Sequence, residues 1–137
     1  MEFRPATLSD FARLCPTVPR RIWKGAAVQI TAAPSWTLWH DGEPLLIGSL
    51  VPFHSGIFEA CLMLPSGVKL PLAALRYTML RVATVMPDST IIARIDDANA
   101  AGQRLARLIG FVPIDEHLAG TAIRTWVRIN VTDFPPA

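Results

Sequence analysis

Glu59 is the acidic residue of an otherwise uncharged stretch, Ile57-Phe58-Glu59-Ala60-Cys61-Leu62-Met63-Leu64. A carboxylate beside an apolar sheet face is less easily ionised than one in water, and a base for an ammonium group needs that property. The competing reading is a glutamate at a strand start, paired with a surface cation. His54 sits just upstream, either to relay a proton or to be solvated in a turn. Ser66-Gly67-Val68-Lys69 offers a hydroxyl, a bare backbone N–H and a point charge, which are the parts of an anion site. The same residues also read as a plain strand-to-helix turn, with Pro71 in the first helical turn, where its missing N–H is tolerated. Asp96, Asp97 and Asn99 precede a short amphipathic run and suit a helix N-terminus, where their oxygens satisfy free N–H groups and offset the dipole.

Other chemistries fall away. No His, Cys, Asp or Glu set has metal-ligand spacing, so no metal is expected. Ser35, Ser49, Ser55, Ser66 and Ser89 lack a nucleophile-elbow context. Cys15 and Cys61 lie far apart and read as free thiols in a reducing cytosol. A net charge of +2 does not argue for nucleic acid. No apolar run reaches the ~18 residues of a membrane span, and the opening Met1-Glu2-Phe3-Arg4-Pro5 is no signal peptide. A cytoplasmic protein of one domain, residues 1–137, is expected. Only 18% of the 137 residues are charged and 51% are apolar, which suggests a sheet buried on both faces, a homodimer interface, or both.

The elements that must position these residues follow from periodicity. Glu2 to Ala6 alternates as a short strand. Thr7 or Ser9 caps a helix bearing Leu8, Phe11, Ala12 and Leu14. Residues 20–33 form a second helix bearing Ile22, Trp23, Ala26, Ala27 and Ile30, and Pro34 ends it. Trp36–His40 runs into the hairpin signal Asp41-Gly42. Leu45–Val51 returns, with Gly48 as a bulge or close-approach point, and 52–56 is a turn. Ile57–Leu64 is the third strand of this group. Val68 to Met86 is helical and largely buried, with a stripe of Leu72, Leu75, Met79, Val82 and Met86. Thr90–Ile95 is a strand and Asn99–Ile109 a helix. Gly110 then supplies a left-handed cap, and Phe111 folds back near Leu105 or Leu108. Phe111–Ile114 is a short strand, His117 is loop-borne, and Thr121–Asn130 is the last strand, with Ala122, Arg124, Trp126 and Arg128 on one face. The order β-α-α-β-β-β-α-β-α-β-β gives an α/β (α+β) class: a mixed, mostly antiparallel sheet with helices on both faces.

This order, the opening Phe3-Arg4-Pro5-Ala6-Thr7-x-x-Asp10, the turn Asp41-Gly42-Glu43-Pro44 and above all Asn99 through Gly110-Phe111 resemble the GNAT superfamily of acyltransferases, with phage- or prophage-type members in particular. The resemblance implies an N-acyltransferase that moves an acyl group, acetyl above all, from acetyl-CoA to an amine. It implies that Asn99 bonds the pantetheine arm, that Ser66, Gly67, Val68 and Lys69 face the pyrophosphate, and that a splay near Leu62, Met63 and Leu64 bares a backbone N–H to polarise the thioester. Glu59 is then the base and His54 its relay. Two positions depart from the family. The loop Pro65-Ser66-Gly67-Val68-Lys69-Leu70-Pro71 has one glycine where the family has a glycine-rich signature. Ala106 stands where many members carry the tyrosine that protonates the leaving thiolate. These departures keep two other functions in view: a catalytically degenerate binding or assembly protein, and an acyl-CoA binder without turnover.

Overall fold

The computed structural model of the chain describes residues 1–65, 71–85 and 89–128. The element order is that expected from the sequence: β1 (Glu2–Pro5), α1 (Leu8–Leu14), α2 (Arg20–Ala32), β2 (Ser35–His40), β3 (Glu43–His54), β4 (Ile57–Met63), α3 (Leu72–Val85), β5 (Thr90–Asp96), α4 (Ala100–Leu108), β6 (Val112–His117) and β7 (Ile123–Arg128). The strands form a seven-stranded, mostly antiparallel sheet in the order β1-β2-β3-β4-β5-β7-β6, in which β4 and β5 run parallel. Contacts divide the chain into two compact units. One holds Met1–Val51 and Ala60–Ala74, and the other holds Pro52–Glu59 and the chain from Leu75 onward.

In the first unit, Thr7 begins α1 with a reciprocal capping box: Asp10 N–H donates to Thr7 Oγ1 at 3.1 Å and Thr7 N–H donates to Asp10 Oδ2 at 3.1 Å. Helices α1 and α2 bury Phe11, Leu14, Ala26 and Ile30 against Ile47, with Trp23 and Met63 packed on this core. Ile22, which shares the apolar periodicity of α2, is exposed. Strands β2 and β3 turn through Asp41 and Gly42, both at positive φ (51° and 74°), a two-residue hairpin turn that matches the strand twist. The irregularity in this hairpin falls at Leu38/Trp39, opposite Pro44, and not at Gly48. A Cβ at Gly48 would meet Leu62 Cδ2 at 3.7 Å, an ordinary contact.

Several boundaries differ from the sequence reading. Strand β3 runs through Pro52 and Phe53 to His54, so the turn shrinks to Ser55-Gly56, with Gly56 at φ +73°. His54 therefore ends a strand. Strand β6 continues through Asp115 and Glu116 to His117, so that histidine is also a strand residue. Helix α3 buries Ala74, Leu75 and Thr78 and leaves Leu72 and Leu80 exposed, Leu80 at 50%. A helix apolar on most sides carries too weak a period to say which face goes inward. No helix among the described residues is long and apolar enough to cross a membrane.

Candidate functional site

Glu59 lies in the second unit, where β4 pairs with β5. The parallel register joins Ile57, Phe58 and Glu59 to Thr90, Ile91 and Ile92. Side chains alternate along a strand, and registered parallel neighbours share a face, so Glu59, Ile92 and Arg94 point to one side of the sheet. Glu59 Oε1 is 3.5 Å from Arg94 Nε. The Arg94 guanidinium also lies over the Phe53 ring, 5.0 Å from its centroid. His54, next to Phe53, is exposed at the end of β3.

Asn99 is the N-cap of α4. Its Oδ1 accepts from Gly102 N–H at 2.9 Å, which satisfies one of the free donors of the first turn. A Cβ at position 102 would lie 2.6 Å from Asn99 Nδ2, so the side-chain amide rests directly on the bare Cα of Gly102. Asn99 is exposed and can cap while offering its amide to a ligand. The two aspartates before it do not cap α4. Asp96 Oδ1 accepts from Ala98 N–H at 2.8 Å, within the turn that leads to the helix. Asp97 turns the other way: its Oδ2 lies 2.7 Å from His117 Nε2, and its Oδ1 accepts from Arg124 Nε at 3.0 Å. The hydrogen bond from His117, then that from Arg124, holds the Asp97 carboxyl below its ordinary value.

The far end of α4 closes as the Gly-Phe signal implies. Gly110 takes φ +95°, Gly110 N–H donates to Arg107 O and Phe111 N–H donates to Ala106 O, which together make a Schellman cap. Ala106, Ile109 and Phe111 are buried, while Leu108 is exposed. The nearly buried Arg128 donates from Nε to Ile109 O at 2.8 Å, placing a cation on the negative end of the helix. Arg107 stacks over Trp126, 5.0 Å from the ring centroid, so α4 lies on the Trp126 and Arg128 face of β7.

Leu62, Met63 and Leu64 belong to the first unit: Met63 packs on its core, Leu62 and Leu64 are partly exposed, and Leu64 O lies 3.7 Å from Cys15 Sγ. Burial raises the Cys15 thiol above its ordinary value. Ser66, Gly67, Val68 and Lys69 lie outside the described residues. No group of three His, Cys, Asp or Glu side chains among the described residues is placed to hold a metal.

Sequence reasoning missed Arg94 and Phe53 beside Glu59, and the bonds of Asp97 to His117 and Arg124. A charge inside the β-branched run Thr90–Ile95 was a usable signal for Arg94. Nothing local connects residue 97 to residue 117.

No family model and no curated protein sequence matches the chain. Solved structures do. A ribosomal-protein-S5-alanine acetyltransferase from Vibrio fischeri aligns over 98% of this chain and 94% of its own at 15% identity, with a TM-score of 0.62. A chimeric spermidine N-acetyltransferase from Vibrio cholerae covers 96% of both chains at 9% identity, with a TM-score of 0.70. An N-acetyltransferase from Campylobacter jejuni, solved with acetyl coenzyme A, covers 80% of this chain and 75% of its own at 15% identity, with a TM-score of 0.60. The chain has the GNAT acetyltransferase fold. Within that GNAT frame, position 106 is an alanine whose carbonyl accepts the capping N–H of Phe111. Its methyl group lies buried and carries no acid.

Proposed function

We propose that the chain is an acyl-CoA-dependent N-acyltransferase that moves acetyl from acetyl-CoA to an amine. The observation that carries this reading is the exposed amide of Asn99, the N-cap of the helix that follows β5, in a chain with the GNAT fold. Fixed backbone donors aimed at developing charge are the strongest contribution a protein makes to acyl transfer. Acetyl-CoA would supply the thioester. Leu62, Met63 and Leu64 would present the N–H, and Asn99 would bond the pantetheine amide with the end of its side chain that capping does not use. Ser66, Gly67, Val68 and Lys69 would hold the pyrophosphate. Glu59 would take the proton from the amine, with His54 passing it to water. The donor set fits acetyl-CoA at Asn99, whose exposed amide is a donor and acceptor of the size a pantetheine amide pairs with. Cys15 and Cys61 are in no disulfide, which suits a reducing cytoplasm.

Ala106 favours a second reading, an acyl-CoA binder without turnover, because it supplies no proton to a leaving thiolate. Titration calorimetry with acetyl-CoA tests both readings. Binding in the micromolar range that weakens in Asn99→Ala supports acyl-CoA recognition, and no heat at millimolar acetyl-CoA sinks it, leaving an assembly module. Thiol release that is lost in Glu59→Gln at unchanged affinity separates the enzyme from the binder.

A further inference from the structure

Arg94 stands on β5, which lies between β4 and β7 within the sheet. Its face holds Glu59 and Ile92, together with Val127 and Thr125, the β7 partners of Ile92 and Arg94. Helix α4 covers the opposite face, at Trp126 and Arg128. A guanidinium on a central strand that served only to neutralise Glu59 should grip it at the 2.7–2.9 Å typical of charge-assisted pairs. The Nε to Oε1 distance here is 3.5 Å, so the carboxylate leaves most of the five-donor fork uncommitted. Phe53 lies under the guanidinium at 5.0 Å and is itself 53% exposed, so the cation is oriented by a ring and open to solvent. A planar, oriented fork with spare donors is what recognises a carboxylate in two-point fashion.

Resting on the acyltransferase reading, with Glu59 as base, we infer that Arg94 is the specificity residue of the acceptor site and that the acceptor is an amino-carboxylic acid. The two charges match in order: the ammonium of the acceptor meets Glu59, and its carboxylate meets Arg94. A plain amine would meet the repulsion of Arg94 as soon as it approached Glu59. A zwitterion cancels that repulsion: its carboxylate lies against Arg94 while its ammonium lies against Glu59. An amine and a carboxylate one or two carbons apart fit two side chains that already touch.

The test compares pairs of compounds that differ only at the carboxyl: an amino acid, its amide and the decarboxylated amine, each titrated into CoA-saturated protein and each followed for thiol release from acetyl-CoA. The acid is expected to bind at least tenfold more tightly than its amide and to show the higher kcat/KM. Arg94→Gln is expected to remove that preference through KM while acetyl-CoA affinity stays unchanged, and Arg94→Lys to restore part of it. Equal kcat/KM for acid and amide in the wild type overturns the inference, as does a preference that survives in Arg94→Gln, or a set of amino acids none of which binds. The wild-type comparison stands even if Arg94→Gln folds poorly. Absence of acetyl-CoA binding is a separate result: it removes the acyltransferase reading and this inference with it, whereas acetyl-CoA binding with indifference to the carboxyl removes this inference alone.

Discussion

The starts of α1 and α4 carry the same kind of local signal and put it to different use. At α1, Thr7 and Asp10 cap each other, and Asp10 Oδ2 also accepts from Thr37 Oγ1 at 2.7 Å, on a threonine with 0% exposure. One carboxylate oxygen there both closes the cap and ties the helix to β2. At α4, Asn99 uses one oxygen on Gly102 N–H and stays at the surface, while the neighbouring Asp97 is drawn off to His117 and Arg124. A capping residue is consumed by structure when a buried partner waits for it, and keeps capacity for a ligand when none does.

The largest effect should come from the consumed cap. Asp10→Ala removes half of the capping box and leaves a buried threonine hydroxyl without its acceptor. We expect a loss of about 2–4 kcal/mol in denaturant unfolding, from about 1 for the cap and about 1–3 for the orphaned hydroxyl. Acetyl-CoA affinity should not change, and a loss of affinity in a folded protein would break the contrast. Asn99→Ala should cost only about 1 kcal/mol of stability, the usual worth of a cap. Its acetyl-CoA affinity should fall about threefold to tenfold, the worth of one neutral hydrogen bond. Stability loss at constant affinity would make the two starts equivalent.

Asp97 supplies a pH-dependent version of the same contrast. His117 and Arg124 lower its folded-state value below the ordinary 3.8, so its contribution is fully present above that value and is lost as the pH falls from there through the lowered one. Acid titrations of the wild type and Asp97→Asn should run parallel at neutral pH and converge below about pH 4, near the unfolded aspartate value. Curves that stay parallel at low pH would show that the carboxylate contributes nothing through its charge. The smallest net change belongs to Gly102→Ala. The added Cβ, 2.6 Å from Asn99 Nδ2, must displace the capping amide. Gained helix propensity of about 1 kcal/mol should roughly offset the lost cap. Unfolding would then barely move, while acetyl-CoA affinity falls as in Asn99→Ala. Unchanged affinity in both Gly102→Ala and Asn99→Ala would show that the amide takes no part in binding.

Much of the fold was legible because its signals are short-ranged. Thr7 with Asp10, Asp41-Gly42, Asn99 and Gly110-Phe111 each act within a single turn, and each lies where its local chemistry requires. The buried face of α3 was legible in part: Leu75 of the expected stripe is buried, whereas Leu72 of the same stripe is exposed and Ala74 and Thr78, off it, are buried. The candidate site was half legible. Glu59 and Asn99 stood out as residue types in unusual company, but nothing near Glu59 in the chain announced Arg94 or Phe53 as its neighbours.

The order of elements, the helix caps at Thr7 and Asn99 and the Asp41-Gly42 turn follow from the chain alone, because backbone donors, φ preferences and hydrophobic period are settled among residues a few positions apart. Which charges meet depends on the assembled sheet: Glu59 with Arg94 through the parallel register of β4 on β5, and Asp97 with His117 across 20 positions once β6 is laid beside β7. Strand register is set by how whole faces pack, so the partners of a charged side chain, and with them the chemistry it can perform, follow from the sheet and not from the residue.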